Sequence, residues 1–343
     1  MLSRIAESMY WMARYLERAE NHARLLKVQK VNSLGLVEDM ITNSGWDTIL
    51  DINGYMNVFT HRFPERTPDN ICTFMVSSID NPNSVLSCIK QARENARAVQ
   101  ERLSSEIWEA FNEFYWDFLD FQRHTINMND SLQDLFSFVR NYCFRIIGAL
   151  HVCMPRSEEY DFFRLGLYLE RAEQTSRILD VRYHLTVRTP GEQPLVDTHH
   201  WINILRSTYA YEAFLKRHQS RFTQDHVIEF LLLDAEFPRS IQYTITMVNQ
   251  ALNHLLQSED HAKHPLLRTV GKIRLELQYT AVNELLNEGL HNYLLAFQAR
   301  CFQIGDLINQ SFFSQELTDY ANNLPFAAQH KVYIRNTSTR IDE

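Results

Sequence analysis

Tyr15-Leu16-Glu17-Arg18-Ala19-Glu20 returns later in the chain as Tyr168-Leu169-Glu170-Arg171-Ala172-Glu173. Aligned without gaps, residues 15–30 and 168–183 agree at nine of sixteen positions, among them Arg24 with Arg177 and Leu26 with Leu179. Both copies ride on an apolar seam. In the first, Ile5, Met9, Met12, Leu16, Ala19, Ala23 and Leu26 recur in steps alternating between four and three; in the second, Phe162, Leu165, Leu169, Ala172, Ser176 and Leu179 do the same. That spacing is the period of an α-helix with one buried face, and the period-two alternation of a strand is missing. The small pairs Ala19/Ala23 and Ala172/Ser176 leave room for another helix to approach closely.

The correspondence continues downstream. Trp46, Ile49, Leu50 and Phe59 fall on Trp201, Ile204, Leu205 and Phe214; Phe74, Pro82, Ser84 and Val85 fall on Phe230, Pro238, Ser240 and Ile241. The offset drifts from 153 to 155 to 156, as small loop insertions produce. The expected fold is therefore all-α: two tandem divergent helical repeats, 1–155 and 156–310, forming a compact pseudo-twofold bundle, with a C-terminal helix and polar tail at 311–343. Further helices are predicted over 43–62, 69–79, 83–124, 130–152, 197–219, 223–235, 239–258, 266–310 and 315–329. Asn81-Pro82 and Phe237-Pro238 read as helix starts, 189–194 as the clearest loop, and the residues after Lys331 as a frayed end.

Composition agrees with a helical chain. Nine Gly and nine Pro in 343 residues leave little punctuation for strands and tight turns. A 45% hydrophobic share with 22% charged residues supports a large core and excludes disorder. No apolar run is long enough for a membrane span, and charges interrupt the first residues where a signal peptide would be apolar, so a cytoplasmic location is expected. Cys72, Cys88, Cys143, Cys153 and Cys301 are scattered and odd in number, which predicts reduced thiols rather than disulfides or a zinc knuckle. The formal charge of −8 argues against nucleic-acid binding, and the basic run from Arg93 to Arg102 is broken by Glu94 and Glu101 as on a solvated helix face.

One position round from each seam lies a charged row: Glu17, Glu20 and Arg24 in the first copy, Glu170, Glu173 and Arg177 in the second. Glu20 with Arg24 and Glu173 with Arg177 are spaced i,i+4 with the acid first, the favourable order for an ion pair within a helix. Two readings stand. The rows pair within or between repeats and fix helix register, or they form a charged groove for a ligand or partner, with Arg14, Glu17, Arg18, Glu20, Arg24, Glu170, Arg171, Glu173 and Arg177 as its residues. The helix starts at Ser84 and Ser240 offer a second candidate. Arg239 and Ser240 beside free amides suit an anion, while simple capping is the plainer explanation.

Other chemistry finds little support. No glycine cluster cradles a phosphate, and no serine elbow is present. A di-metal carboxylate bundle needs a Glu and a His spaced i,i+3 on two helices; only Glu288 and His291 fit, and arginines beside the other carboxylates compete with a cation. Neither a metal nor a cofactor is expected. Asp197-Thr198-His199-His200 falls at a predicted loop-to-helix junction, where surface histidines explain it, and Cys72 and Cys143 have no His or Asp context for a nucleophile.

The N-terminal Met1-Leu2-Ser3-Arg4-Ile5-Ala6-Glu7-Ser8-Met9-Tyr10-Trp11-Met12, leading into Arg14-Tyr15-Leu16-Glu17-Arg18-Ala19-Glu20-Asn21, resembles the bacterial alpha-E family. So do the second copy, from Phe163-Arg164-Leu165-Gly166 through Glu170-Arg171 to Arg177-Ile178-Leu179-Asp180, the stretch Phe237-Pro238-Arg239-Ser240-Ile241, and Trp108-Glu109-Ala110-Phe111-Asn112. The likeness covers about 1–310. It implies a helical fold with a Glu-Arg motif and a place beside a circularly permuted ATP-grasp amide ligase. A transglutaminase-like cysteine peptidase or a proteasome-related peptidase is implied in the same pathway. The sequence departs from symmetry: Arg14 is matched by Leu167, and Trp11 by Arg164. The first functional expectation is an accessory or scaffold subunit acting with the ligase on a peptide-like product. The alternative is an acyl- or aminoacyl-transferring enzyme in which Glu17, Glu20, Glu170 or Glu173 acts as a base raised by burial. A dimerisation module is the third.

Overall fold

The computed structural model describes residues 3–34, 44–125, 127–187, 194–219, 222–256 and 264–313, and among them there are helices and no strand. The two Glu-Arg copies lie on the long helices α1 (Ser3–Leu34) and α8 (Glu158–Val187). These lie side by side and run in the same direction. Ala13 meets Gly166, Arg18 meets Glu170, Asn21 meets Gln174 and Leu25 packs with Ile178. Parallel neighbours cannot be joined by a tight turn, so the chain needs a long crossover between them.

That crossover is built from α2 (Ser44–Asn53), α3 (Met56–Arg62), α4 (Pro68–Val76), α5 (Val85–Ala98), α6 (Ser105–His124) and α7 (Leu132–Cys153). After α8 follow α9 (Pro194–Ser207), α10 (Tyr211–His218), α11 (Gln224–Leu233), α12 (Ile241–Leu255), α13 (Pro265–Tyr279), α14 (Val282–Glu288) and α15 (Leu290–Ile308), with a π-helical turn at Asn309–Phe313. Helix α1 packs on α5 and α7, and α8 packs on α12 and α15, so the central pair is sheathed on both sides. One contiguous apolar cluster draws on both parts of the chain, from Met9, Met12 and Leu16 through Phe59, Phe74 and Phe114 to Phe214 and Phe297. Each such side chain contributes roughly 1.5–3 kcal/mol by leaving water.

Several predicted helices are interrupted. The 43–62 segment breaks at Gly54, whose φ of +69° suits glycine. The 83–124 segment breaks where Val99 leaves the helix for a short 3-10 turn, Gln100–Arg102. The 197–219 segment starts earlier, at Pro194, and breaks at Tyr209. The 266–310 segment becomes three helices, divided at the extended Thr280 and at Gly289, with φ +101°. Periodicity alone misses these breaks because the buried face resumes in phase after a short turn. The 315–329 helix, the residues after Lys331 and Thr189–Gln193 of the expected loop lie outside the described residues.

Candidate functional site

The charged residues of the two rows lie where α1 and α8 meet each other and the helices packed around them. Glu170 is fully buried, Glu17 and Glu20 are 3% exposed, and Arg14, Arg18, Arg24, Arg171 and Arg177 stay below a tenth. An open groove is thus not what these rows form; they are the polar part of the core.

The pairing is reciprocal. Arg18 donates Nε and Nη2 to Glu170 Oε1 and Oε2 at 2.7 and 2.9 Å. Arg171 donates the same two groups to Glu17 at 3.2 and 2.8 Å. Each fork-to-fork contact fixes angle as well as distance, which suits guanidinium and no other side chain. Between them Asn21 donates Nδ2 to Gln174 Oε1 at 2.8 Å, and Gln174 donates to Glu170 Oε1 at 3.1 Å. The i,i+4 pairs form as expected: Arg24 with Glu20 at 2.8 Å and Arg177 with Glu173 at 2.9 Å.

Two further arginines bridge the paired carboxylates, and they come from unrelated positions. Arg14, on α1, donates Nε to Glu170 and Nη2 to Glu173, both at 2.7 Å. Arg239, just before α12, donates Nη1 to Glu17 at 2.6 Å and Nη2 to Glu20 at 3.2 Å. Leu167, aligned in sequence with Arg14, brings no charge, and Asn83, aligned with Arg239, accepts from Arg18 instead of supplying one. Six arginines, Arg14, Arg18, Arg24, Arg171, Arg177 and Arg239, face four glutamates in this network.

This arrangement decides the protonation of Glu17 and Glu170. Burial alone would push Glu17 up, but Arg171 and Arg239 outweigh it and hold the carboxyl down to about 2. Glu170 is likewise buried and is held well below the ordinary range by Arg18 and Arg14. The expectation of a base raised by burial is corrected here: the arginines reverse the shift at both positions.

The other candidates resolve in the same direction. Ser240 is the N-cap of α12, accepting from Tyr243 N at 3.0 Å, and Ser84 caps α5 in the same way. With Arg239 committed to two glutamates, the anion-holding reading of Arg239 and Ser240 loses its cation. Glu288 and His291 fall on different helices, and His291 Nδ1 lies 2.6 Å from Asp180 Oδ1 instead. Asp197 to His200 lie within α9 and not at its start, and His199 is exposed. Burial pushes Cys88 up to about 12 and raises Cys72, Cys143 and Cys301 as well, so none of these is a ready thiolate. Among the described residues no group of three or more His, Cys, Asp or Glu side chains is arranged to hold a metal.

Sequence reasoning missed two residues. Tyr209 occupies the turn that Gly54 takes in the first part of the chain, and its φ of +56° costs about 1 kcal/mol for a non-glycine. Its ring, 4.5 Å from the Arg24 guanidinium and 5.0 Å from that of Arg239, closes the network on that side. The alignment of Tyr209 with Gly54 was the available signal. His22, aligned with Thr175, is the other: it is fully buried with Nε2 2.8 Å from Asn53 Oδ1.

Burial, helped by the Arg18 charge, depresses His22 to about 4 from an ordinary 6.5. The unfolded chain therefore binds a proton there that the folded chain refuses, and stability falls as pH drops from 6.5 towards 4. The slope is about 1.4 kcal/mol per pH unit. The carboxylates add their own loss only lower, between about 4.5 and 2, where Glu17 and Glu170 protonate first in the unfolded chain. Urea unfolding of wild type and His22→Gln at pH 7 and pH 5 isolates the histidine. The variant is expected to lose roughly 2 kcal/mol less over that interval; equal losses would mean His22 is not held neutral.

Residues 1–313 match a family described as a predicted alpha-helical domain with a conserved ER motif, named Alpha-E. The chain belongs to the Alpha-E family. Its Glu17-Arg18 and Glu170-Arg171 dipeptides are the two that exchange partners across the α1–α8 interface. The chain is similar to an uncharacterized protein of Mycobacterium bovis and to uncharacterized proteins from two strains of Mycobacterium tuberculosis. Each is 22% identical over 314 residues, covering 82% of this chain and 33% of the relative. The Alpha-E chain thus spans about one third of the length of these curated relatives. No solved structure matches it. Among the described residues no helix is long and apolar enough to cross a membrane.

Proposed function

We propose that this Alpha-E chain is a cytoplasmic, non-catalytic helical subunit, built as a duplicated unit over 1–155 and 156–310, that acts with a circularly permuted ATP-grasp amide ligase. The observation that carries the reading is the closed state of the Glu-Arg network. Glu17 and Glu170 each receive two guanidiniums, are buried, and are held ionised, which suits a rigid internal clamp and makes neither a base near neutrality. An acyl- or aminoacyl-transfer mechanism on these residues would need the opposite shift. The relatives, of which this chain spans one third, support a unit that accompanies other sequence. The partner class comes from the alpha-E resemblance, with a transglutaminase-like or proteasome-related peptidase acting in the same pathway.

Co-expression with the ATP-grasp ligase of the same host, followed by size-exclusion chromatography at low salt, tests it. A stable complex, with ligase product formed only when both are present, is the expected result. Turnover of an activated amino acid by the Alpha-E chain alone, or ligase activity indifferent to it, would overturn the reading.

A further inference from the structure

Outside the network, one face gathers like charges that folding alone would keep apart. Lys27 on α1 and Arg140 on α7 share a single aromatic ring, Phe136, at 4.9 and 5.4 Å. Burial and the charges of Arg140 and Arg206 hold the Lys27 ammonium below its ordinary range, while Glu212 offers a partial counter-charge. Several other arginines with exposed or half-buried side chains, Arg62, Arg66, Arg145 and Arg300, hold a carboxylate. Among the described residues no carboxylate stands within ion-pair distance of Lys27, Arg140 or Arg206. In a chain of formal charge −8, a local excess of cations is a feature that folding does not require.

Aromatic rings link this cluster to solvent. Phe144 is 56% exposed, and its ring lies 6.4 Å from Tyr209, which in turn lies 6.2 Å from Phe136. Tyr209, like Gln219, has a left-handed backbone, and strain of this kind gathers at binding surfaces. An exposed aromatic joined through Tyr209 and Phe136 to this group of cations fits a partner with the opposite pattern, an apolar side chain accompanied by carboxylates.

We propose that Lys27, Arg140, Phe144, Arg206 and Tyr209 form the surface on which the chain docks an acidic segment of a protein partner. The three cations take its carboxylates and Phe144 takes an apolar side chain between them. This rests on the accessory-subunit reading for there being a protein partner, and adds the surface and its chemistry. A short acidic segment feels only this patch, within about 10 Å at moderate salt, whereas a long nucleic acid would also meet the net negative charge of the rest of the molecule.

A fluorescein-labelled peptide of alternating glutamate and leucine, titrated with the full chain and followed by anisotropy at low and high salt, is the probe. Wild type is expected to bind it in a salt-sensitive manner. Reversing two charges, Arg140→Glu with Arg206→Glu, is expected to weaken binding about tenfold or more, and Phe144→Ala to weaken it several-fold. Arg268→Glu, on the exposed start of α13, is expected to leave it unchanged. The double reversal relieves repulsion around Lys27, so its melting temperature should equal or exceed that of wild type; should it melt early, Arg140→Gln with Arg206→Gln replaces it in the titration. Unchanged affinity in the folded double variant, or tighter binding of a DNA duplex than of the peptide, would overturn the surface. A ligase complex that survives the charge reversal would overturn the surface while sparing the accessory reading. Peptide binding through these residues without any ligase complex would keep the surface and remove the ligase.

Discussion

Glu170→Ala is expected to cost about 3–5 kcal/mol, enough to unfold a marginal chain at ambient temperature. The carboxylate is fully buried and accepts from Arg14, from both arms of Arg18 and from Gln174. Truncation leaves two desolvated guanidiniums facing each other, and that repulsion, more than the lost hydrogen bonds, sets the size of the effect. Glu170→Gln keeps the shape but turns a donor toward the guanidiniums, so it should cost nearly as much. Replacing both partners with apolar side chains, Arg18→Met with Glu170→Leu, should recover part of the loss, because no unpaired charge remains from that pair. Chemical denaturation measures all three. Wild-type stability in Glu170→Ala would show that the network is not what joins α1 to α8.

Gly166→Ala is the second large effect. A Cβ on Gly166 would stand 2.2 Å from the Tyr10 carbonyl oxygen and 3.2 Å from Ala13 Cβ. The obstacle is backbone, so no side-chain rotation relieves it and α8 must move away from α1. Overpacking commonly costs 1–3 kcal/mol, and this contact should exceed about 3 because separation also stretches the Arg-Glu pairs next to it. Gly148 on α7 is the control: nothing lies within 4 Å of its added Cβ, so Gly148→Ala should stabilise by about 0.5–1 kcal/mol. A thermal melt of the two variants, one lowered and one raised, checks both. Equal melting temperatures would contradict the close approach of α1 and α8.

The all-helical fold was legible because the seams were. Met9, Met12, Leu16 and Ala19 on one helix, with Leu165, Leu169 and Ala172 on the other, are buried where the four-three spacing places them. Helix starts written in capping chemistry were also readable, as Ser84 and Ser240 show. Breaks such as the one at Tyr209 were not, since the tertiary clamp on its ring overrides the preference of tyrosine for negative φ. For the charged rows, sequence identified the residues and left their environment open. A row beside a seam can face solvent or a second helix, and nothing local distinguishes the two. Arg239 shows the limit most clearly. It reaches Glu17 and Glu20 from 222 and 219 residues away, a contact that only the packing of α12 against α8 creates.

The Glu-Arg exchange acts as a buried structural clamp between α1 and α8. A double-mutant cycle on the reciprocal pair Glu17 and Arg171 tests it most directly, using Glu17→Leu, Arg171→Met and the two together in urea unfolding. The clamp predicts that each single change is severe and that the double variant is more stable than the sum implies, with a coupling of about 2 kcal/mol. Additive effects within about 0.5 kcal/mol would contradict it, since groups that exchange two hydrogen bonds in the core cannot act independently.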